Sequence, residues 1–371
     1  MLNRRKTLLI GLSNPNFSQR FFRRRLRTKA NHGYDDVSRR NIARKHGDEE
    51  EDKEKIHLLK SRGQHLLTNP RILDSIVRSS NVKSDDTVLE IGPGTGNLTF
   101  KLLEAASKVV AIELDKRMIE ILRKRADERG VQDRLDIIYG DALKTNFPEF
   151  NLVVANIPYG ISSPLLAKLV FGVKTNPYRS ATLLLQKEFA RRLLAKPGDS
   201  EFNRLAVNIT MFAEVEFVMD VSKRDFVPPP KVDSSVVKIY PKSKIPDIDL
   251  EEWCAFTRTC FSKKNKTLGA TFKQKRKLME LMKLSKFEGR SVDSDDDGDD
   301  LGSGTGISLL RGKIVGILES GGFLDKRPSK MPNDDLLQLL SLFNEAGIYF
   351  HDRANAKGIC DAAFDACDCL L

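Results

Sequence analysis

Cysteine is scarce in this sequence, and its positions exclude a disulfide framework. Only five of the 371 residues are cysteines, and three of those five fall within the last twelve residues. A secreted chain that depends on disulfides carries an even number of cysteines along its length, whereas this distribution is typical of a reducing compartment. We therefore expect no structural disulfides. The five are Cys254, Cys260, Cys360, Cys367 and Cys369.

Long apolar runs are also missing. No stretch approaches the length of about 20 apolar residues that a membrane-spanning helix requires. The composition is otherwise ordinary for a globular protein, with 40% hydrophobic and 30% charged residues. A chain of this length is sufficient for one full α/β domain and a smaller second domain. We predict no membrane partner and a monomer.

Acidic residues are absent from the start of the chain. Residues 1–34 contain nine lysines and arginines and no Asp or Glu, so much of the net charge of +11 lies there. An arginine-rich, acid-free segment with interspersed Leu, Ile and Phe is typical of a mitochondrial import signal. The alternative is a basic arm that contacts RNA or directs the protein to the nucleus or nucleolus. An almost wholly acidic run over 48–54 follows, so we predict a targeting leader and linker over 1–55.

From about residue 56 the sequence alternates between short apolar strands and amphipathic helices. Such alternation predicts a mainly parallel sheet with helices on both faces, and the continuously apolar strands indicate burial on both faces. We predict a Rossmann-like α/β domain over 56–243. The predicted strands are 87–91, 109–112, 135–139, 152–155, 182–185 and 234–240. The predicted helices cover 70–77, 98–103 with Asn97 as the N-cap, 115–125, 165–170 and 188–194.

The pattern becomes helical from Leu250 to about Phe343, which predicts a smaller helical domain over 244–350. An aspartate-rich insert over 288–306 interrupts it, and a cysteine-bearing tail covers 351–371. The insert begins like a calcium loop, but Gly304 stands where such a loop requires a bidentate Glu. We therefore predict a disordered acidic loop and no metal site.

A glycine-rich turn follows the first strand of the α/β domain. Its spacing, Gly92-x-Gly94-x-Gly96, differs from the G-x-G-x-x-G of dinucleotide binders. Glu113 ends the next strand, where a carboxylate can accept both hydroxyls of a ribose, and Asp141 ends the third, where it can meet an adenine amino group. This order of turn, acid and acid is the pattern of S-adenosylmethionine sites. Taken singly, the glycines could serve packing and each acid could be a solvated strand-end residue.

The run Asn-Ile-Pro-Tyr ends the fourth strand, at the sheet edge where ligands of α/β proteins bind. The side-chain oxygen of Asn156 and the carbonyl of Ile157 can accept both hydrogens of an exocyclic amino group, which directs its lone pair toward a methyl donor. Pro158 rigidifies the turn, and Tyr159 offers a face for base stacking. The run predicts methylation of a ring-attached amino group, against the alternative of a strand-ending turn with a buried Asn.

Two further features concern the nucleic acid. Phe226, just before a triple proline, is a candidate for the second face of the base, although it could equally pack in the core. A cluster of basic residues predicts phosphate binding, although such a cluster could also be a solvated face. Its members include Lys263, Lys264, Lys266, Lys273, Lys275, Arg276 and Lys277.

These motifs together resemble the ribosomal RNA adenine dimethyltransferase family. The resemblance covers about residues 56–350. The matching runs are 63–67 (Gly-Gln-His-Leu-Leu), 90–99 (Glu-Ile-Gly-Pro-Gly-Thr-Gly-Asn-Leu-Thr), 112–115 (Ile-Glu-Leu-Asp), 140–142 (Gly-Asp-Ala), 156–159 (Asn-Ile-Pro-Tyr), 161–164 (Ile-Ser-Ser-Pro) and 228–234 (Pro-Pro-Pro-Lys-Val-Asp-Ser).

The resemblance implies an S-adenosylmethionine-dependent enzyme that dimethylates the 6-amino groups of two adjacent adenines near the end of small-subunit rRNA. It implies that His65 and Leu67 line the cofactor site together with Gly92, Glu113, Asp141 and Asn156. The form of some motifs looks like the branch serving cytosolic ribosomes, while the leader indicates mitochondria. The alternatives are a non-enzymatic ribosome assembly or mitochondrial transcription factor on the same fold, and a DNA adenine methyltransferase.

Overall fold

The computed structural model describes residues 64–284 and 301–351. The predicted leader and linker over 1–55, most of the predicted insert and the tail beyond His351 lie outside these ranges. A helix over Leu301–Ser320 includes the last part of the predicted disordered insert, 301–306, which is therefore helical instead. No helix in the described ranges is long and apolar enough to cross a membrane.

A mixed sheet forms the centre of the fold. Within the described residues it has seven strands in the order β4-β3-β2-β5-β6-β9-β7. Neighbours from β4 to β6 pair in parallel, whereas β9 pairs antiparallel with both β6 and β7. The strands are β2 Thr87–Ile91, β3 Lys108–Glu113, β4 Leu135–Tyr139, β5 Leu152–Asn156, β6 Ser180–Gln186, β7 Ala213–Val221 and β9 Ser234–Pro241; a separate antiparallel pair joins β1 Leu66–Leu67 to β8 Phe226–Val227.

Helices cover both faces of this sheet and then form the C-terminal part of the described chain. The helices are α1 Pro70–Ser80, α2 Asn97–Ala105, α3 Lys116–Glu128, α4 Ser162–Phe171, α5 Lys187–Leu194, α6 Arg204–Phe212, α7 Leu250–Phe261, α8 Leu268–Phe272, α9 Lys275–Leu284, α10 Leu301–Ser320 and α11 Asn333–Glu345. The predicted α/β class with a helical C-terminal part is confirmed, and the predicted boundary between 56–243 and 244–350 stays a prediction.

The parallel strands are buried on both faces, as their apolar sequence predicts. Val88 of β2 packs into the cluster formed with α1 and α2, whereas its neighbour Leu89 packs into the cluster on the opposite face. That second cluster continues into the helical part of the chain, where it includes Trp253 and Phe343. The sheet and the C-terminal helices therefore share one continuous hydrophobic core.

The structure differs from the sequence-based prediction at one strand and at one helix cap. Strand β7 is missing from the prediction because acidic residues alternate along its sequence. They are tolerated there because β7 is an edge strand that is half exposed to solvent. Asn97 was expected to cap α2, but it is the first residue of the helix, and Gly96 occupies the cap with φ of 91°. The Asn97 side chain instead donates to the carbonyl of Leu67 over 3.0 Å, which ties α2 to β1.

The last residues of the described chain are held on α7 by a buried carboxylate. Glu252 accepts hydrogen bonds from the backbone N–H of Phe350 and from both the backbone N–H and Nδ1 of His351, with the Nδ1 contact at 2.8 Å. Phe350 then enters an aromatic cluster in which its ring centroid lies 5.1 Å from that of Phe256 and 5.4 Å from that of Phe343. This cluster forms the core of the helical part.

Candidate active site

A cleft of about 350 Å³ opens at the carboxyl ends of the parallel strands. It lies beside β2 and β5, between which the direction of strand progression reverses, and this switch point is where α/β sheets bind ligands. The cleft brings together eight side chains or backbone positions that the sequence singled out. They are His65, Leu67, Gly92, Glu113, Asp141, Asn156, Tyr159 and Phe226.

The glycine turn approaches its neighbours too closely for any side chain. All three glycines have positive φ, 69° at Gly92, 57° at Gly94 and 91° at Gly96, a conformation that L residues rarely adopt. A Cβ at Gly94 would lie 2.8 Å from Leu66 Cδ2. From the far side, Arg125 of α3 donates to the carbonyl of Thr95. The turn therefore presents bare backbone to the cleft.

Glu113 joins the end of β3 to the glycine turn. Its Oε2 accepts the N–H of Gly94 over 3.1 Å, and its Oε1 accepts the N–H groups of Leu114 and Asp115, each over 2.9 Å. Burial raises the pKa of this carboxyl, and the three backbone donors oppose that effect. The carboxylate is thus oriented by backbone amides alone, with its remaining lone pairs toward the cleft.

Glu90 of β2 is a second carboxyl of the cleft, and the sequence-based reading missed it. The residue is 1% exposed and lines the cleft, and its Oε2 has no hydrogen-bond partner in the described part of the chain. Burial, reinforced by the negative charge of Glu113, raises the pKa of Glu90 to about 8. A charged residue between Leu89 and Ile91 in an apolar strand was the signal that could have identified it.

Asp141 begins a tight turn after β4. Its Oδ1 accepts the N–H of Leu143 over 2.9 Å, while its backbone carbonyl accepts the N–H groups of Lys144 and Thr145. No hydrogen bond reaches its Oδ2 from the residues that the structure describes. This half-buried carboxylate therefore offers an acceptor to the cleft. The exposed side chain of Leu114 also lines the cleft, and the sequence-based prediction missed it.

Asn156 and His65 are linked at the end of β5. The Nδ2 of Asn156 donates to the carbonyl of His65 over 3.3 Å, which leaves Oδ1 as the group available to the cleft. The Nδ1 of His65 lies 2.7 Å from the carbonyl of Pro228, and because a carbonyl only accepts, Nδ1 carries the proton. The segments around 65, 156 and 228 are thereby held together.

Tyr159 lies beside His65, shortly after the end of β5. Its ring stacks at 28° to the His65 ring with 6.2 Å between centroids, and its hydroxyl lies 2.8 Å from Ser234 Oγ. Burial raises the pKa of the phenol, so it stays neutral at physiological pH. Ser234 was not singled out in the sequence, because nothing local marks it as a partner of a residue 75 positions away.

Phe226 lies in the wall of the cleft and also in the core. The residue is 2% exposed and packs in the cluster on the α1 and α2 face of the sheet, where β8 pairs with β1. Its ring would need to gain exposure before a base could stack on it. Its role as the second face of the target base stays a prediction.

The predicted phosphate-binding lysines do not line this cleft. Lys263 and Lys266 are exposed, whereas Lys264 is half-buried and donates to the carbonyls of Ser200 and Phe202, each over 2.8 Å. Lys264 instead contributes to a second concave surface of about 730 Å³, which we call the basic groove. The cations of the basic groove are Lys187, Arg191, Arg192, Lys223, Lys231 and Lys264, and its acids are Glu188, Glu201 and Asp233.

The basic groove adjoins the active-site cleft through the loop that leads into β9. Asp233, which lines the groove, precedes Ser234, which holds Tyr159. The backbone carbonyl of Asp233 also accepts the N–H of Lys187 from α5 over 3.0 Å.

The fold and the cleft define the class of protein first. The sheet order, the glycine turn at the switch point and the ordered acids are those of S-adenosylmethionine-dependent methyltransferases. Comparison with known proteins then identifies the family. The model of the family described as Ribosomal RNA adenine dimethylase matches residues 56–295, and the chain belongs to this family.

Individual relatives agree with this assignment. The Arabidopsis thaliana protein named Ribosomal RNA small subunit methyltransferase, mitochondrial, is 62% identical over 320 residues, which are 82% of this chain and 84% of the relative. Another A. thaliana protein, Ribosomal RNA small subunit methyltransferase, is 45% identical and is matched over 80% of this chain and 93% of its own. The crystal structure of a dimethyladenosine transferase from Plasmodium falciparum is 41% identical with a TM-score of 0.67, covering 77% of this chain and 100% of that chain. The predicted family and enzyme class are confirmed.

Proposed function

We propose that this chain uses S-adenosylmethionine to dimethylate the 6-amino groups of two adjacent adenines near the end of small-subunit rRNA, in mitochondria and as a monomer. One observation carries the chemistry. The amide nitrogen of Asn156 is occupied by the carbonyl of His65, so Oδ1 is the atom that remains for an incoming amino group. This acceptor lies in the same cleft as the two acids that suit a nucleoside cofactor.

The cleft fits S-adenosylmethionine. A pocket of about 350 Å³ is within the range of small-molecule sites, and the side-chain-free glycine turn leaves room for close approach of a ligand. Glu113 would accept the ribose hydroxyls and Asp141 the adenine amino group. The buried carboxyl of Glu90, whose Oε2 has no hydrogen-bond partner among the described residues, would ionise more readily with a cationic ligand beside it. When bound, the cofactor supplies an electrophilic methyl group on a sulfonium.

The residues on the other side of the cleft orient the target base. Asn156 Oδ1 and the Ile157 carbonyl would accept the two amino hydrogens, which directs the nitrogen lone pair toward the methyl group. The same oxygens stabilise the positive charge that develops on nitrogen during transfer. No general base has to act before attack, because the neutral amine is itself the nucleophile and loses its proton afterwards.

Tyr159 would stack on the base, which must leave its helix stack to reach the cleft. Such stacking contributes about 1–3 kcal/mol per base. The hydrogen bond to Ser234 and the neighbouring His65 ring hold the tyrosine in one orientation, so less freedom is lost when the base arrives. The assignment of Phe226 to the opposite face of the base belongs to the same proposal.

The basic groove is the surface that we propose for the rRNA backbone. Six cations converge on it against three acids, and its Asp233 directly precedes Ser234, whose hydroxyl contacts that of Tyr159. Binding of phosphates by such a surface weakens steeply as salt rises, because bound counterions are released. Lys264 enters this surface from the predicted lysine cluster, while Lys263 and Lys266 stay predicted phosphate contacts beside it.

The mitochondrial location is supported by two independent features. The leader over 1–34 is rich in arginine and free of acids, and a relative that is 62% identical is named mitochondrial. A fluorescent fusion of residues 1–50 should label mitochondria. A nucleolar signal would contradict the proposed location and would favour the cytosolic ribosome as the target.

Substitution of Asn156 tests the activity directly. Asn156→Ala should lower methyl transfer to a small-subunit rRNA fragment by about 100-fold or more, since one preorganised polar group at the reacting atoms contributes that much. Dimethyladenosine would be quantified by mass spectrometry, and S-adenosylmethionine binding should fall much less.

The control variant is Asn151→Ala, because Asn151 lies just before β5, at the opposite end of that strand, where its side-chain Oδ1 accepts the N–H of Thr87. It should keep its activity. Full activity of Asn156→Ala would refute the proposed chemistry. Absence of dimethyladenosine with the native enzyme would refute the proposed substrate.

A further inference from the structure

Lys168 stands out on a helix whose other side chains are mostly buried and apolar. Eight of the ten residues of α4 are buried. Lys168 is one of the other two, and its ammonium lies under the turn that follows Asp141. Nζ donates to the carbonyls of Ala142, Leu143 and Thr145 over 2.8, 3.1 and 2.6 Å. These three acceptors match the three donors of an ammonium group.

The turn after Asp141 needs such a cation. Because the N–H groups of Leu143, Lys144 and Thr145 all bond back to Asp141, the carbonyls of the turn are directed together on its other side. Converging carbonyl oxygens repel one another, and the repulsion is large where water is excluded. The positively charged ammonium of Lys168 attracts these oxygens and offsets their repulsion. It also lies over the Phe147 ring, with 4.1 Å between Nζ and the ring centroid.

The turn has little freedom to adopt another form. A Cβ at Gly140 would lie 2.6 Å from Thr145 Oγ1, so the two ends of the turn are already in contact. Both Asp141 and Ala142 line the cofactor cleft. A change in how the carbonyl of Ala142 is held is therefore transmitted to the neighbouring carboxylate.

We propose that Lys168 is a positioning residue that holds the Asp141 turn in the form that recognises the 6-amino group of the cofactor's adenine. This inference rests on the proposed function, in which Asp141 meets that amino group. The lysine reaches the turn from α4, the helix that begins directly after the Tyr159–Ile161 turn. It therefore connects the Asp141 turn, at the adenine end of the cofactor site, to the helix that follows Tyr159, the residue proposed to stack on the target base.

Binding measurements with two product-like ligands test this role without any turnover. S-Adenosylhomocysteine presents an amino donor to Asp141, whereas S-inosylhomocysteine presents an oxygen at the same position. The native enzyme should prefer the adenosyl ligand in calorimetry. Lys168→Met should weaken S-adenosylhomocysteine binding by about tenfold, the size expected for one misplaced hydrogen bond to a charged group, and leave S-inosylhomocysteine binding nearly unchanged.

Two further variants separate positioning from general stability. Lys238→Met removes a different lysine, a buried one whose Nζ donates to the carbonyl of Ser79 over 2.7 Å outside the cleft. It should lower the melting temperature without changing the preference between the two ligands. Lys168→Arg keeps the charge but cannot place three donors on three converging carbonyls, so it should lose part of the preference, and it carries the test if Lys168→Met does not fold.

The outcomes are distinct. If Lys168→Met, or Lys168→Arg in its place, keeps the native preference or weakens both ligands equally, the positioning role is wrong while the proposed function stands. If the native enzyme binds both ligands equally well, the contact between Asp141 and adenine is wrong, and the inference falls with that part of the proposed function. A preference that collapses only in the Lys168 variants supports the inference.

Discussion

The two halves of the active-site cleft are organised differently. On the cofactor half, Glu113 and Asp141 take their hydrogen bonds from backbone N–H groups of their own turns or of the adjoining glycine turn. On the base half, Asn156 and Tyr159 are held by His65 and Ser234, which are 91 and 75 positions away in the chain. The first half is built mainly by local backbone geometry and the second by long-range packing.

This difference explains what each half can tolerate. A turn whose shape is set by glycines with positive φ and by bonds to its own amides is already in place when a ligand arrives. The base half instead depends on three segments that meet only in the folded chain. Substitutions on the cofactor half should therefore act on ligand binding, and those on the base half on turnover with RNA.

The largest expected effect concerns the stability of the cofactor half. The pKa of Glu90 is raised to about 8 from an ordinary value of 4.5, so the folded state binds more protons than the unfolded state between these values. The free energy of unfolding should fall as pH rises from about 4.5 to about 8, by a total of a few kcal/mol. Urea denaturation at a series of pH values measures this.

Glu90→Gln should remove the part of that pH dependence that Glu90 contributes, leaving the part from Glu113, and should stabilise the ligand-free protein at alkaline pH. Glu104→Gln is the matched control, because Glu104 is an exposed residue of α2, and it should leave the profile unchanged. An unaltered profile in Glu90→Gln would show that the buried carboxyl is not the source.

A second prediction concerns ligand affinity. Glu113→Ala should weaken S-adenosylmethionine binding by about 100-fold, because hydrogen bonds to a charged acceptor contribute about 1.5–3 kcal/mol each. Titration calorimetry measures the change. Glu128→Ala, at the exposed end of α3, should bind like the native enzyme. Unchanged S-adenosylmethionine affinity in Glu113→Ala would contradict the assignment of ligand binding to the cofactor half.

The third prediction concerns Tyr159 on the base half, and its conservative variant should have the smallest effect. Tyr159→Ala should lower kcat/KM for the rRNA fragment by roughly 10- to 100-fold through lost stacking, with cofactor affinity nearly unchanged. Tyr159→Phe removes only the contact with Ser234 and should cost about 1 kcal/mol, or roughly fivefold. Steady-state kinetics and calorimetry on the same variants measure both quantities. Equal losses in cofactor binding and turnover would contradict the division into two halves.

Much of the fold followed from local sequence patterns. The β2, β4 and β9 strands and the alternation of strands and helices are visible because apolar periodicity acts over a few residues. The edge strand β7 was not visible, since its acidic residues are tolerated only because one face meets solvent. The antiparallel position of β9 is likewise set by its partners and not by its own composition.

The sequence by itself determined the class of chemistry: a glycine turn, two ordered acids and an Asn-Ile-Pro-Tyr run each carry their meaning in residue type and spacing. The tertiary structure alone decided which atoms are available. It committed Asn156 Nδ2 to His65, buried Glu90 with its Oε2 unpaired among the described residues, placed Phe226 in the core and set Lys168 under the Asp141 turn. The reason is physical: spacing along the chain fixes local backbone geometry, whereas burial and hydrogen-bond partners depend on segments that come together only when the core packs.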